Sequence, residues 1–352
     1  MIAVFQLAEQ IAFASIAEGI DHIVTLPVFN WDNMHAQIPM FEFYDALRKK
    51  YGKSPLVYAA ERLKDVVKKR DIVIVATGFY VTFGETLETD GPPGAATLAR
   101  AISVGLGASP VIVVEERYVE SMKAICSAAG LKPFPLKSVK EGPGRIAVQG
   151  FPREEGRAEV AAETIMRTMK PSALISIECD DRNKKGVYHS ASGNNITANQ
   201  AKLPILFELA ARSNVFTAGI GDFGNEIGMS TLTETFEKLT PSHFSCNCGC
   251  GGGIVSATRT EASIIANISN WGAYGLEAAL SLVLGNSEAM HDPLTETRVL
   301  EETARVGYVD PAAGFVGPSA DGAPRDINAS IVHLLRSAVK LQENPRFMDY
   351  IA

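Results

Sequence analysis

The sequence predicts an α/β fold: a doubly wound, mostly parallel sheet in a three-layer sandwich, with an N-terminal helical cap. Three observations predict it. Six runs rich in Val and Ile are apolar on both faces, as strands buried in a parallel sheet are. Stretches with helical periodicity lie between most of them. The 352 residues are enough for one large α/β domain or two smaller ones.

Residues 1–54 hold an initial amphipathic helix, a loop with Pro27 and Trp31-Asp32-Asn33, and a helix near Phe41 to Lys50. They are expected to form the cap, as a lid or an oligomer contact. Residues 55–352 are expected to form the α/β catalytic domain. Its strands are placed at Ile72 to Ala76, Val111 to Val114, Arg145 to Gln149, Ala173 to Ile177, Val215 to Ala218 and Ser263 to Ile268. Helices are placed at Ala95 to Val104, Val119 to Ala129, Arg157 to Met169, Asn199 to Ala211 and Tyr274 to Leu284. A Pro- and Gly-rich loop over 310–325 then precedes a last helix, Asp326 to Gln342.

Composition narrows the function. The net charge is −7, and the longest basic run is Lys68-Lys69-Arg70, which suits a helix C-terminus. A nucleic-acid partner is therefore not expected. No stretch of about 18 apolar residues suggests a membrane span. Met1-Ile2-Ala3-Val4-Phe5 lacks a basic leader, so no signal peptide is expected. Five cysteines, three of them crowded at 246, 248 and 250, do not resemble a secreted disulfide scaffold, and the expected compartment is the cytoplasm. The expected partner is a small molecule.

In a parallel sheet, ligands bind beyond the carboxyl ends of the strands. Four expected strand ends lead into acids, amides and glycines. They are Thr77-Gly78 with Glu88-Thr89-Asp90-Gly91, then Glu178 with Asp180, Asp181 and Arg182, then Asp222 with Asn225 and Glu226, then Ser269-Asn270-Trp271. Gly219, Gly221 and Gly224 satisfy G-x-G-x-x-G. Asp222 sits inside that string, where it would repel a pyrophosphate, so no nucleotide cofactor is expected. Asp222 alone reads equally well as a helix N-cap, and Glu226 as a first-turn acid. Together the acids suggest a hard divalent cation, or acid–base work by a carboxyl of raised pKa.

Cys246-Asn247-Cys248-Gly249-Cys250 could hold zinc or a cluster, but no second cysteine pair accompanies it. It is expected to be a flexible loop at a site entrance, with a nucleophilic cysteine near His243 as the alternative. His22, His35, His291 and His333 lie in ordinary settings, whereas His189 is expected to face the site.

These pieces resemble the D-glutamate cyclase-like family. The longest are Glu88-Thr89-Asp90-Gly91-Pro92-Pro93-Gly94-Ala95 and Gly219-Ile220-Gly221-Asp222 with Asn225-Glu226-Ile227-Gly228-Met229. Departures stand at Phe223, Cys179 and Glu261, where glycine, arginine and aspartate are expected. The resemblance implies dehydration of D-glutamate to 5-oxo-D-proline, or the reverse lactam hydrolysis, with Mn²⁺ or Mg²⁺. It places Glu88, Asp90, Asp222 and Glu226 in catalysis and Glu178, Asp222 and Glu226 at the metal. Arg182 would pair with the substrate α-carboxylate. Thr77, Gly78, Thr89, Gly91, His189, Asn225, Ser269, Asn270 and Trp271 would complete the substrate contacts. Another small cyclic amide, or a non-catalytic small-molecule sensor, are the alternative readings.

Overall fold

The computed structural model describes residues 2–27 and 38–343. Trp31, Asp32, Asn33 and His35 lie outside the described residues. In chain order the strands are β1 (Ile72–Thr77), β2 (Tyr80–Val81), β3 (Thr86–Leu87), β4 (Ser109–Glu115), β5 (Lys132–Pro133), β6 (Arg145–Phe151), β7 (Ala173–Ile177), β8 (Phe216–Gly221), β9 (Ala262–Ile265), β10 (Ser319–Ala320) and β11 (Ala323–Pro324). The helices are α1 (Ile2–Val24), α2 (Met40–Tyr51), α3 (Pro55–Val66), α4 (Pro92–Gly105), α5 (Val119–Ala128), α6 (Glu155–Met169), α7 (Pro204–Arg212), α8 (Thr233–Leu239), α9 (Ser269–Leu284), α10 (Pro293–Arg305) and α11 (Arg325–Glu343).

Seven strands form one parallel sheet in the order β5-β6-β4-β1-β7-β8-β9. From β1 the chain steps to β4, reaches one edge at β5 and folds back into β6 between them. It then returns to β7 beside β1 and builds to the other edge. The direction of winding therefore switches between β1 and β7, where a crevice opens at the carboxyl ends. The strands alternate between two cores. Val73 and Val75 face one, with α3, α4, α5 and α9. Ile72, Ile74 and Ala76 face the other, with α6 and α7. This double burial explains why the strands read as unbroken apolar runs.

The expected strands are all present, with shifted ends. The sequence reading omits β5 because it has two residues and contains Pro133, which only an edge strand accommodates. The helix expected from Asn199 starts at Pro204, whose fixed φ suits a first helical position. α10, also unexpected, is capped by Asp292, which accepts from Thr295 N at 2.8 Å, and starts on Pro293. The 310–325 segment contains the β10–β11 hairpin rather than loop alone.

Within residues 1–54, Ala17, Ile20 and Val24 of α1 are buried in the same core as α9. Phe43 of α2 packs on Phe236, with centroids 4.4 Å apart. Among the described residues of this segment none lines the cavity considered below. No helix of the described residues is long and apolar enough to cross a membrane.

His291 is not in an ordinary setting. It is fully buried between α9 and α10, with Nδ1 2.7 Å from Glu277 and Nε2 3.2 Å from Glu296. Burial lowers its pKa, but the Glu277 carboxylate and the hydrogen bonds outweigh that and raise it to about 9. A histidine whose pKa rises on folding stabilises the fold below its unfolded pKa and loses that contribution as pH climbs through the folded value. Urea midpoints should therefore fall between pH 6.5 and 9, by up to about 3 kcal/mol in stability. The fall should be absent in His291→Gln.

Two glycine substitutions should behave oppositely. A Cβ on Gly219 would stand 2.2 Å from the Ile227 carbonyl oxygen, whereas one on Gly156 in α6 meets nothing within 4 Å. Gly219→Ala should cost about 3 kcal/mol, and Gly156→Ala should stabilise by about 1 kcal/mol, both read by denaturant titration.

Candidate functional site

Four strand ends and one distant hairpin turn converge at the β1/β7 crevice. Three carboxylates, Asp90, Glu178 and Asp222, place one oxygen each within 4.8 Å of the others. Glu88, Glu226 and Asp321 surround them, and a cavity of about 530 Å³ opens above. Its lining includes Glu88, Glu178, Asp222, Glu226 and Asp321 and, among the described residues, no lysine or arginine. Phe79, Tyr80, Val81 and Phe83 make an apolar wall, and Phe223 adds a further aromatic face.

Each acid is held by a different piece of backbone. Asp90 precedes α4 and accepts from Ser269 N at 2.8 Å and Asn270 N at 2.7 Å, the first two amides of α9. Asn270 Oδ1 returns the contact, accepting from Gly91 N at 2.9 Å and Gly94 N at 2.8 Å. Each helix thus caps the other. Glu178 follows β7 with φ +46°, a left-handed conformation unusual for glutamate. Its Oε2 accepts from Ser269 Oγ at 2.5 Å. Gly91 leaves the space this needs, because a Cβ there would lie 2.7 Å from both Glu178 Cβ and Thr77 Oγ1.

The glycine string after β8 serves the same end. A Cβ on Gly221 would lie 2.6 Å from a Glu226 oxygen. Glu226 turns back to accept from Phe223 N at 2.9 Å and Gly224 N at 2.7 Å. Both its oxygens are thereby engaged, and the convergent trio is Asp90, Glu178 and Asp222, without Glu226. No α-helix starts at Asn225 for Asp222 to cap, and the buried Asp222 Oδ2 has no hydrogen-bond partner. Asn225 also lines the cavity.

Burial pushes the pKa of Glu88, Asp90, Glu178 and Asp222 well above the usual carboxylate range, and neighbouring like charges add to the rise. Asp321 is a leading neighbour for Glu88 and Asp90, Glu226 for Glu178, and Glu178 for Asp222. Such a cluster either keeps protons or accepts a cation. The oxygen-only donors and the unpartnered Asp222 oxygen fit a hard divalent ion.

Several expected residues stand elsewhere. Arg182 pairs with Glu208 and is absent from the cavity lining, because the chain turns away after Asp181. The Asp181 carboxylate accepts from Thr258 N at 2.6 Å in that turn. Trp271 points into the core, donating from Nε1 to Asn328 at 2.8 Å. His189 faces the cysteine cluster instead of the cavity. Thr77 and Thr89 are buried, each with a hydroxyl that has no partner, and Gly78 sits at the end of β1. Of the departures, only Phe223 reaches the cavity: Cys179 lies in the α6–α7 core, and Glu261 pairs with Arg62 at the amino end of β9.

Asp321 is the site residue that the sequence reading lacks. It occupies the β10–β11 turn with φ +46°, and Asp310 anchors that turn by accepting from Ser319 Oγ at 2.5 Å and Gly322 N at 2.9 Å. The sequence signal, Asp321-Gly322, reads as a hairpin turn and conceals the carboxylate's second role.

The chain matches the family model described as "D-glutamate cyclase-like, C-terminal" over residues 45–336. It is 28% identical over 283 residues to human "D-glutamate cyclase, mitochondrial". That match covers 72% of this chain and 43% of the human protein, so the chain spans less than half of that relative.

A carboxyl whose pKa rises on folding stabilises the fold below its unfolded pKa, near 4, and loses that contribution as pH increases. A divalent ion should restore it. Mn²⁺ should raise the melting temperature more at pH 8 than at pH 5, where protons compete for the same oxygens. Asp222→Asn should remove most of the Mn²⁺ effect and raise the metal-free melting temperature at pH 8.

Proposed function

The chain belongs to the D-glutamate cyclase-like, C-terminal family, and from that premise we propose a lyase-type reaction at the carboxylate crevice. In it, the α-amino group of D-glutamate closes on the γ-carboxylate to give 5-oxo-D-proline and water, or the lactam opens by the reverse path. The observation that carries the proposal is the convergence of Asp90, Glu178 and Asp222 within 4.8 Å, two of them, Glu178 and Asp222, lining a cavity with no lysine or arginine among its described residues. The human relative's printed name supports the same class of chemistry. A cytoplasmic setting is proposed with it.

Cyclisation needs a base for the ammonium, an acid for the departing oxygen, and the nitrogen held against the γ-carbon. Asp222, which lines the cavity, is the proposed base, through the carboxylate oxygen not given to the ion. Glu88, whose carboxyl pKa is raised by burial and by Asp321, is the proposed acid. Overall two protons leave the nitrogen as the C–N bond forms, and two reach the oxygen as the C–O bond breaks, so water departs. Ser269 and the N-terminus of α9 hold Glu178 and Asp90 in place. Asp90, Glu178 and Asp222 would hold Mn²⁺ or Mg²⁺, which when bound would polarise the γ-carboxylate. An ion also answers the missing arginine, since an acidic substrate enters a site of like charge.

A second reading, turnover of a bulkier cyclic amide, is favoured by the aromatic wall of Phe79, Phe83 and Phe223.

NMR of the full chain with D-glutamate, and separately with 5-oxo-D-proline, should show interconversion with Mn²⁺ and none with chelator. Asp222→Asn should lower the rate at least about 100-fold with an unchanged far-ultraviolet spectrum. A near-normal rate in that variant would remove Asp222 from the chemistry. Turnover of other lactams alone would select the second reading.

A further inference from the structure

A second group of ligating side chains stands apart from the carboxylates. His189 Nε2 lies 3.1 Å from Cys248 Sγ and 3.8 Å from Cys250 Sγ. Cys246 Sγ lies 3.6 Å from Cys248 Sγ and 3.4 Å from Cys250 Sγ. All four ligand atoms fall within 4.8 Å of one another. The sulfurs are too far apart for disulfides, whose S–S bond is about 2.05 Å, and the three cysteines are free.

A tetrahedral zinc ion has Zn–S near 2.3 Å and Zn–N near 2.0 Å, which spaces its sulfurs about 3.8 Å apart and sulfur from nitrogen about 3.6 Å. The observed separations lie close to both values. Four atoms this near one another converge on a single centre, not on a cluster of several irons. We propose that His189, Cys246, Cys248 and Cys250 bind one zinc ion in a closed, four-coordinate structural site.

Three further features support a built site. The first is the histidine tautomer. His189 Nδ1 lies 3.1 Å from the Val187 carbonyl, which can only accept, so Nδ1 carries the hydrogen and Nε2 turns its lone pair to the sulfurs. Second, Cys250 Sγ receives Gly252 N–H at 3.3 Å and Asn183 Nδ2–H at 3.4 Å, donors that stabilise a thiolate. Third, Gly249, Gly251 and Gly253 have φ of +76°, +69° and +70°, which lets the loop curl around a point. The missing second cysteine pair is replaced by a histidine 59 residues before Cys248.

The position of the site gives it a purpose. His189 pairs with Asn195 across a short hairpin, and Ser190, Ser192 and Asn194 of that hairpin line the carboxylate cavity. Asn247, between two of the cysteines, donates from its amide to the Gly193 carbonyl at 2.9 Å and from its side chain to Ser192 O at 2.7 Å. Zinc would pin this wall to the cysteine loop. A closed site offers no open position for substrate, so its role is to shape the cavity and not to react.

The test uses the full chain purified without chelators. Elemental analysis should find about one zinc per chain, released when a mercurial blocks the thiols. Cobalt substitution should give thiolate-to-cobalt charge-transfer bands and the intense visible bands of a tetrahedral ion. Cys248→Ser, at the exposed ligand, should weaken zinc at least tenfold in competition with a chromophoric chelator, whereas Asp222→Asn should keep its zinc. Cobalt bands in the unmodified chain keep the proposal testable if Cys248→Ser fails to fold. The proposal is overturned if the three thiols of the native protein react freely whether or not zinc is added. It is also overturned if Cys248→Ser binds zinc as tightly as the parent, if zinc leaves with Asp222→Asn, or if the metal found is iron with sulfide. None of these readouts depends on cyclase activity, so the zinc site and the proposed reaction stand or fall separately.

Discussion

Two helices meet at the acid cluster, and each is capped by a side chain of the other. Asp90, just before α4, takes the first amides of α9, and Asn270 of α9 takes the amides of Gly91 and Gly94. The exchange fixes both helix N-termini beside the crevice, where their partial positive charge offsets part of the acid repulsion. It also sets the distance between the helices. A Cβ on Gly94 would stand 2.9 Å from both Asn270 Oδ1 and Ala273 Cβ, so only glycine lets α4 approach α9 this closely. Ser269 then reaches Glu178 from the same turn. The position of two acids of the convergent trio thus follows from one pair of caps.

The protein concentrates its instability in this place. Elsewhere a buried charge such as His291 is partnered, by Glu277 and Glu296. At the crevice like charges are packed together with no lysine or arginine among the described lining residues. Glu178 and Asp321 hold left-handed backbone as well. Clustered strain and like-charged acids are what a reaction site demands and a stable core avoids.

The sheet was legible because double burial leaves its strands uniformly apolar, a pattern that survives without knowledge of neighbours. The strand-end acids were legible because a parallel sheet sends its carboxyl ends to one side. What escaped depends on contacts between distant segments. Arg182 looked available until Glu208, 26 residues on, came beside it. Trp271 follows two residues that face the acids, but helical rotation turns it to Asn328. Asp321 hid in a turn whose Asp-Gly pair already had a sufficient explanation. His189 shows no sign of its thiol partners in the local sequence because they sit in another loop.

α1 packs against α11, so the first helix and the last described one are neighbours. A ribosome releases them in the opposite order of need. The part of α1 that meets α11 has no such partner until about 300 further residues have emerged. Contacts so distant in sequence form slowly and leave apolar surface open meanwhile. The chain therefore closes like a clasp, its first helix held against its last described one.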